Sequence, residues 1–454
     1  MPDGTRGPLT RARPRTLAVL VWCALFLVYN ADGKDAGGGD SQPTKFSARS
    51  LVLRHTLSVD DDVAKQPLYA ERAPFQRDLQ GHYRSAYSPI AALFGGITAQ
   101  LLSWLGAELD APFGPNLIAA LTASALVAAA VALVFLTLTR VASTGVALAV
   151  AVGLGVGTNW WGTFAKSLGQ HEVVAFGLAL MLFAWLRPVP ELTTRRLLVG
   201  AAGLALAVTA RFQIAPLVAV LLFGLLMRVG FRRALVPAAL VTASLATLFV
   251  FQYYWFGHIF GAMPRLEALH PDVHGVSTSI SRTPWVGAAG MLISPNRGLF
   301  VFSPIALVAM LGIPALVRRH PTLGAGWALI AALVQFLVYS CYSVWWGGFS
   351  YGPRYVLDVV VLLTPAAAVA LMTSLSSKSA RTVTAVALAW SIVVAATDVF
   401  RANTWNARPL NVDQHHERLW DWHDLQIVRG WQSGWDSRNY SLFSQYAWRR
   451  PAGQ

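Results

Sequence analysis

Apolar residues in this chain come in long runs separated by polar breaks. The runs fall near 16–29, 88–106, 116–139, 143–163, 172–187, 196–210, 212–227, 234–256, 299–317, 323–343, 355–373 and 382–400. A helix needs about 20 consecutive apolar residues to cross a bilayer, and these runs approach that length. Between 31 and 88 lies a long polar stretch holding Gly37-Gly38-Gly39 and Asp60-Asp61-Asp62. Leu, Val, Phe and Tyr recur through it, so it predicts an ordered loop rather than a linker.

Counting every run as a crossing gives twelve, and the basic residues reject that count. Arg187/Arg195/Arg196, Arg228/Arg232/Arg233, Arg318/Arg319 and Lys378/Arg381 stand in short loops. They share a side with the N-terminal Arg6, Arg11, Arg13 and Arg15 only if 88–106 does not cross. That run opens on Ser88-Pro89, carries Gly95-Gly96 and includes Thr98, Gln100 and Ser103, so it predicts an interfacial or re-entrant helix. The expectation is an all-α integral membrane protein with about eleven transmembrane helices, N-terminus inside and C-terminus outside. Residues 1–15 form a cytoplasmic basic segment, 16–400 the transmembrane module, and 401–454 an outer Trp-rich tail. The outer face collects the 31–115 loop, the 157–172 turn, the 257–298 loop and that tail. No small-x-small cleavage site occurs in Leu25–Ala31, which predicts an uncleaved first span.

Composition agrees: of 454 residues, 55% are hydrophobic and 13% charged, with a mean hydropathy of +0.48. A net charge of +14 would suggest nucleic acid in a soluble chain. Here the basic residues lie largely between apolar runs, so they read as orientation signals instead. Cys23 and Cys341 imply neither a disulfide framework nor a zinc site.

The outer face also holds most of the candidate chemistry. Asp40, about ten residues beyond the first span, reads as a general base or as a helix N-cap. His171 and Glu172 open the fourth span, where ionisable groups are costly and often functional; the bland reading is an interfacial pair that starts the helix. Arg211 lies between two apolar runs, and Arg297 and Arg354 precede spans on the outside. Outer arginines oppose the charge bias, which points to an anionic partner, with snorkelling to head groups as the alternative. Trp405, Trp420, Trp422, Trp431, Trp435 and Trp448 read as an interfacial belt. His415, His416 and His423 fit no standard metal spacing, and Asp60-Asp61-Asp62 reads as a solvated turn.

Several stretches together resemble a bacterial family of GT-C-type membrane glycosyltransferases. They are Gly39-Asp40-Ser41-Gln42-Pro43 with Ser50-Leu51-Val52, Tyr83-Arg84-Ser85-Ala86-Tyr87-Ser88-Pro89, Gly169-Gln170-His171-Glu172, Ala210-Arg211-Phe212, Tyr253-Tyr254-Trp255-Phe256-Gly257, Ser294-Pro295-Asn296-Arg297-Gly298, Trp345-Trp346-Gly347-Gly348 through Arg354-Tyr355, and Leu419-Trp420-Asp421-Trp422. The superfamily includes aminoarabinose transferases and protein O-mannosyltransferases. The resemblance implies a polyprenyl-phosphate-sugar donor, inverting transfer to a glycan, lipid or protein acceptor on the outer face of the plasma membrane, and an acidic base in the first outer loop, a place Asp40 fills. It brings Arg84 and Tyr87 in as further candidates. The chain departs from the family pattern at Glu172, at Ser41 in Gly-Asp-Ser, and in lacking a Lys before Ser88-Pro89.

The chemistry is coherent with that map. A sugar hydroxyl is a weak nucleophile, so a carboxylate must take its proton. A departing lipid phosphate needs fixed positive charge, here Arg354, Arg297, Arg211 and His171, which are expected to line one cavity. Two rival classes are a lipid or glycan flippase and a non-catalytic scaffold; a transporter would favour midspan charges and repeated halves, and no internal repeat occurs here.

Overall fold

In the computed structural model, residues 14–34, 39–374 and 377–447 are described. Arg6, Arg11, Arg13, Asp35 and Trp448 lie outside the described residues. The chain is mostly helical. It begins with α1 (Pro14–Asn30), α2 (Gln42–Arg54) and α3 (Asp60–Lys65), then a two-stranded antiparallel ribbon of β1 (Phe75–Arg77) and β2 (Tyr83–Ser85), with Gln76 opposite Arg84. Then come α4 (Ile90–Trp104), α5 (Gly114–Leu138), α6 (Thr144–Val156), α7 (His171–Trp185), α8 (Thr194–Ala210), α9 (Ala215–Val229) and α10 (Phe231–Phe256). Short α11 (Met263–Ala268) and α12 (His270–His274) precede α13 (Pro284–Ile293), α14 (Leu299–Phe302) and α15 (Ile305–Arg319). The chain continues through α16 (Ala325–Ser340), α17 (Leu357–Ser374) and α18 (Lys378–Phe400), and the tail carries α19 (Gln426–Gln432) and α20 (Ser441–Ala447).

Among the described residues, helices long and apolar enough to cross a membrane by length and composition number four: Gly114–Leu138, Phe212–Val229, Phe231–Phe256 and Lys378–Phe400. The other apolar runs also fold as helices, but shorter ones. The 143–163 run stops being α-helical at Val156 and turns through a π-helical segment at Trp160–Phe164. The 299–317 run is broken at Ser303-Pro304 between α14 and α15, because proline has no N–H to continue the ladder. Over 88–106, α4 has 15 residues and packs against α2 and α5. Leu93, Ile97, Leu101, Trp104 and Leu105 face outward from it, a single apolar stripe.

The core centres on α5, whose Ile118, Val127, Val131 and Phe135 are fully buried. It is apolar on nearly all sides, as a helix surrounded by others must be. Close helix contacts use small residues. At the α7–α8 crossing, a Cβ on Gly177 would lie 2.4 Å from the Gly203 carbonyl oxygen, so the backbones touch. At the α15–α17 crossing the corresponding distance from Gly312 to the Ala366 oxygen is 1.9 Å.

The first loop is an ordered cap, as its apolar content suggests. Pro43 through Ser50 of α2 are buried, so this helix is held within the protein rather than spread along an interface. Asp60-Asp61-Asp62 is not a solvated turn. It is the first turn of α3, where Asp62 pairs with Arg49 at 2.5 Å, Asp61 with Arg54, and Asp60 with His82 at 2.7 Å.

The basic loops join one another. Arg228 donates to the carbonyls of Arg187 and, at 3.3 Å, Thr322, and Arg233 donates to that of Leu192. The 187–196, 228–233 and 318–322 turns therefore sit together at one end of the bundle. The opposite ends of the same helices, at His171, Arg211 and Ser340, lead to the site described next.

Candidate functional site

A cavity of about 1300 Å³ opens beneath the first loop. Asp40, Tyr87, His171, Glu172, Arg211 and Arg354 line one end of it. They arrive from five places: Asp40 just before α2, Tyr87 after β2, His171 and Glu172 from the start of α7, Arg211 from the end of α8, and Arg354 from the turn before α17.

The turn that presents Arg354 depends on glycine. Gly347, Gly348 and Gly352 have φ of +73°, +66° and +66°, the left-handed region that favours glycine. Arg354 Nη1 donates to Asp40 Oδ2 at 3.0 Å, and its Nε donates to His171 Nε2 at 3.1 Å. Burial opposes the charge on Arg354, but the Asp40 carboxylate raises its pKa, so the guanidinium stays protonated.

His171 is held from its other side. Its Nδ1 lies 2.7 Å from Asp358 Oδ1, and the second Asp358 oxygen accepts from the Tyr339 hydroxyl at 2.7 Å. With Nδ1–H given to the carboxylate, Nε2 is left as an acceptor. It receives Arg354 and also Arg211 Nη1, which approaches to 2.7 Å. Arg211 further lies over the rings of Tyr339 and Tyr355, at 5.4 and 5.1 Å, and Phe164 stacks on His171 with centroids 4.9 Å apart. Two guanidiniums thus converge on one imidazole between two carboxylates.

No family model matches the sequence, and no curated protein matches it either. Among solved structures, the fold is similar to that of the archaeal oligosaccharyltransferase AglB from Archaeoglobus fulgidus, solved in complex with an inhibitory peptide and a dolichol-phosphate. The TM-score is 0.53 at 11% identity, over 91% of this chain and 60% of that one. The likeness is one of fold, and this chain spans 60% of that protein's length. What the two share is a largely helical fold.

Not every residue expected at the site is there. Arg297 is a correction: it does not line the cavity. It is 1% exposed, and its guanidinium donates to the carbonyls of Trp346 at 3.0 Å, Asn296 at 2.7 Å and Gly348 at 3.2 Å, and to Gln426 at 2.8 Å and Asn406 at 2.7 Å. Every donor direction is taken by protein, which leaves no direction for a phosphate. Arg84 also lies apart, paired with Asp78 at 2.5 Å under the Trp255 ring. Glu172 lines the cavity, and its carboxylate also accepts from the Gly169 N–H at 2.6 Å. Burial first, then the neighbouring Asp40 carboxylate, pushes the Tyr87 hydroxyl above its ordinary value, so it remains a neutral donor.

Asp40 does not act as a helix cap: Ser41 precedes the first helical residue, and the Asp40 side chain reaches Arg354 instead. Asp60, Asp61 and Asp62 in the same loop are tied into its scaffold by their ion pairs. The three tail histidines point to different partners: His415 to Glu417, His416 to backbone carbonyls, and His423 to Asp421. Trp405 is no belt residue, being 1% exposed beneath Arg418 and Arg297.

Asp358 and Tyr339 were not expected at the site. Their signal was available: Asp358 is a lone carboxylate in an apolar run, four residues after Arg354, and a lone ionisable group in such a run marks function by default.

Proposed function

We propose that the protein is a membrane glycosyltransferase that moves a sugar from a polyprenyl-phosphate donor to an acceptor outside the plasma membrane, with inversion. The observation that carries this reading is Arg354, bridged at once to Asp40 and to His171 at the cavity end where Arg211 also converges. The donor phosphate takes the Arg354 and Arg211 guanidiniums, displacing Asp40 from Arg354. The freed carboxylate accepts the proton of the acceptor hydroxyl as its oxygen bonds to the anomeric carbon. The anomeric C–O bond to phosphate breaks on the opposite face, and the electron pair leaves with the lipid phosphate. Fixed cations stabilise that departing charge without reorganising. His171 is a positioning residue, since Asp358 takes its Nδ1 proton and its Nε2 spaces the two arginines. The fold likeness to an oligosaccharyltransferase solved with a dolichol-phosphate supports this class. The basic loops at the other end of the bundle support an outward-facing cavity.

The test offers radiolabelled polyprenyl-phosphate sugars to membranes holding the parent protein or Asp40→Asn at equal abundance. The parent is expected to move label from lipid to a delipidated fraction, and Asp40→Asn to move none, because an amide does not take the hydroxyl proton. Transfer by Asp40→Asn at the parent rate would falsify the assignment of Asp40. No transfer from any such donor by the parent overturns the activity itself.

A further inference from the structure

The cavity has a second end, and its polar groups are only partly paired. Asp32, Lys34, Thr163, Lys166 and Asp398 line it. Lys166 donates to Asp32 Oδ1 and to the Tyr29 carbonyl, yet Asp32 Oδ2 is buried with no hydrogen-bond partner, in a side chain only 2% exposed. Asp398 has no hydrogen bond or ion pair among the described residues; Lys34, Lys166 and Arg297 are cations within electrostatic reach of it. It also sits in the last turn of α18, where the helix dipole opposes a carboxylate. Gly162 makes the room, since a Cβ there would fall 2.0 Å from Asp398 Oδ2.

Leaving a buried acceptor unmatched costs about 1–3 kcal/mol. At the Arg354 end the chain avoids that cost for Asp358, both of whose oxygens are taken. A buried, unmatched Asp32 oxygen beside an unpaired Asp398 marks the second end as a place for a ligand, as the unmatched Arg211 Nε does the first. Its charge says which kind: Lys34, Lys166, Arg401 and Arg438 face Asp32, Asp398 and Asp436, close to balance, and among the described residues these carboxylates do not group as metal ligands. A near-neutral set of interleaved acceptors and donors selects no ion. It matches adjacent hydroxyls, each of which donates to a carboxylate and accepts from an ammonium.

We propose that this end is the acceptor subsite and that the acceptor is a carbohydrate, bound through its hydroxyls to Asp32, Asp398 and Lys166. The assignment of "acceptor" rests on the transferase reading above; the carbohydrate chemistry does not.

Full-length protein purified in detergent tests it by saturation-transfer NMR. One arm is a pool of neutral mannose, galactose and arabinose oligosaccharides, the second a pool of unglycosylated peptides, and the third undecaprenyl phosphate. The parent is expected to bind at least one oligosaccharide. Asp398→Asn, which turns one acceptor oxygen into a donor, and Gly162→Ala, whose Cβ would displace the Asp398 carboxylate, are each expected to weaken that binding by about tenfold or more. Their unchanged undecaprenyl-phosphate binding reports that they are folded, and if either fails to fold the other decides. Arg354→Ala is expected to do the reverse. No oligosaccharide bound by the parent, binding untouched by the folded variants, or peptides bound in an Asp398-dependent way each overturns the proposal. Glycan binding in a protein that transfers no sugar instead refutes the transferase reading and leaves the carbohydrate subsite standing.

Discussion

Arg354 has more suitors than it can serve. It holds Asp40 at 3.0 Å, and in the proposed reaction the donor phosphate must take that place. Removing the carboxylate therefore relieves a competitor. Asp40→Asn is expected to bind undecaprenyl phosphate more tightly than the parent while losing transfer. The pair is partly exposed, at 27% and 50% of the two side chains, so the gain is small: an exposed ion pair contributes about 0–1 kcal/mol, or up to about fivefold in affinity. Weaker binding, measured by native mass spectrometry or calorimetry, would mean that Asp40 holds the donor rather than competes with it. Arg354→Ala is expected to lose phosphate binding, and Arg354→Lys to restore it only in part, because an ammonium lacks the two parallel donors of a guanidinium. Asp358 differs in kind, being fully buried. Asp358→Leu leaves His171, Tyr339 and Arg211 without their shared acceptor, and is expected to lower stability by about 3–5 kcal/mol, read as a fall in the unfolding midpoint. His171, Arg211 and Arg354 were legible in the sequence because each stands at the edge of an apolar run, and Asp40 because the resemblance asks for an acid in the first outer loop. Asp358 and Asp398 lie inside such runs, and hydropathy averages a single carboxylate away.

At the scale of elements, runs of apolar residues mark helices well and their interruptions poorly. The break at Ser303-Pro304 and the π-helical turn at Trp160–Phe164 each fall inside one continuous run. Both interruptions matter to the site, because the first lies just beyond the Arg297 knot and the second carries Gly162 and Thr163 into the cavity. Arg297 shows what sequence position alone does not convey. It stands before a span, as Arg354 does, but its side chain turns into the protein and ties the α13–α14 junction to the 346–348 turn and to Asn406 and Gln426 of the tail. The Trp-rich tail is thereby part of the folded body. Arg297→Lys keeps the charge but surrenders most of those bonds. With hydrogen bonds to charged groups contributing about 1.5–3 kcal/mol each, the variant is expected to lose about 3 kcal/mol or more of stability. If Arg297 gripped a phosphate instead, Arg297→Lys would keep its unfolding midpoint and weaken lipid-phosphate binding alone.

At the scale of the whole molecule, the basic turns and the cavity occupy opposite ends of the same helices. The α7–α8, α9–α10 and α15–α16 turns are stitched together by Arg228 and Arg233, while His171, Arg211 and Arg354 meet at the far end. Positive charge beside short loops stays in the cytoplasm, so the cavity is expected to open outward, where the lipid-linked donor would be consumed. Labelling tests this directly. In a background with Cys23 and Cys341 replaced, Glu191→Cys reports the basic turns, and Phe349→Cys, at a position 56% exposed, reports the cavity mouth. A membrane-impermeant maleimide is expected to modify Phe349→Cys in intact cells and Glu191→Cys only in inverted vesicles. Leu101→Cys adds the reading for α4: on a helix lying along the outer interface, it is shielded by lipid in both preparations, while Glu108→Cys just beyond that helix labels from the outside. Labelling of Glu108→Cys and Phe349→Cys from opposite sides would mean that α4 or another short helix crosses, and would move the inferred reaction to the cytoplasmic face or divide the cavity from its first loop. Labelling of Glu191→Cys from outside would invert the whole bundle and remove the electrostatic case for an outward-facing site.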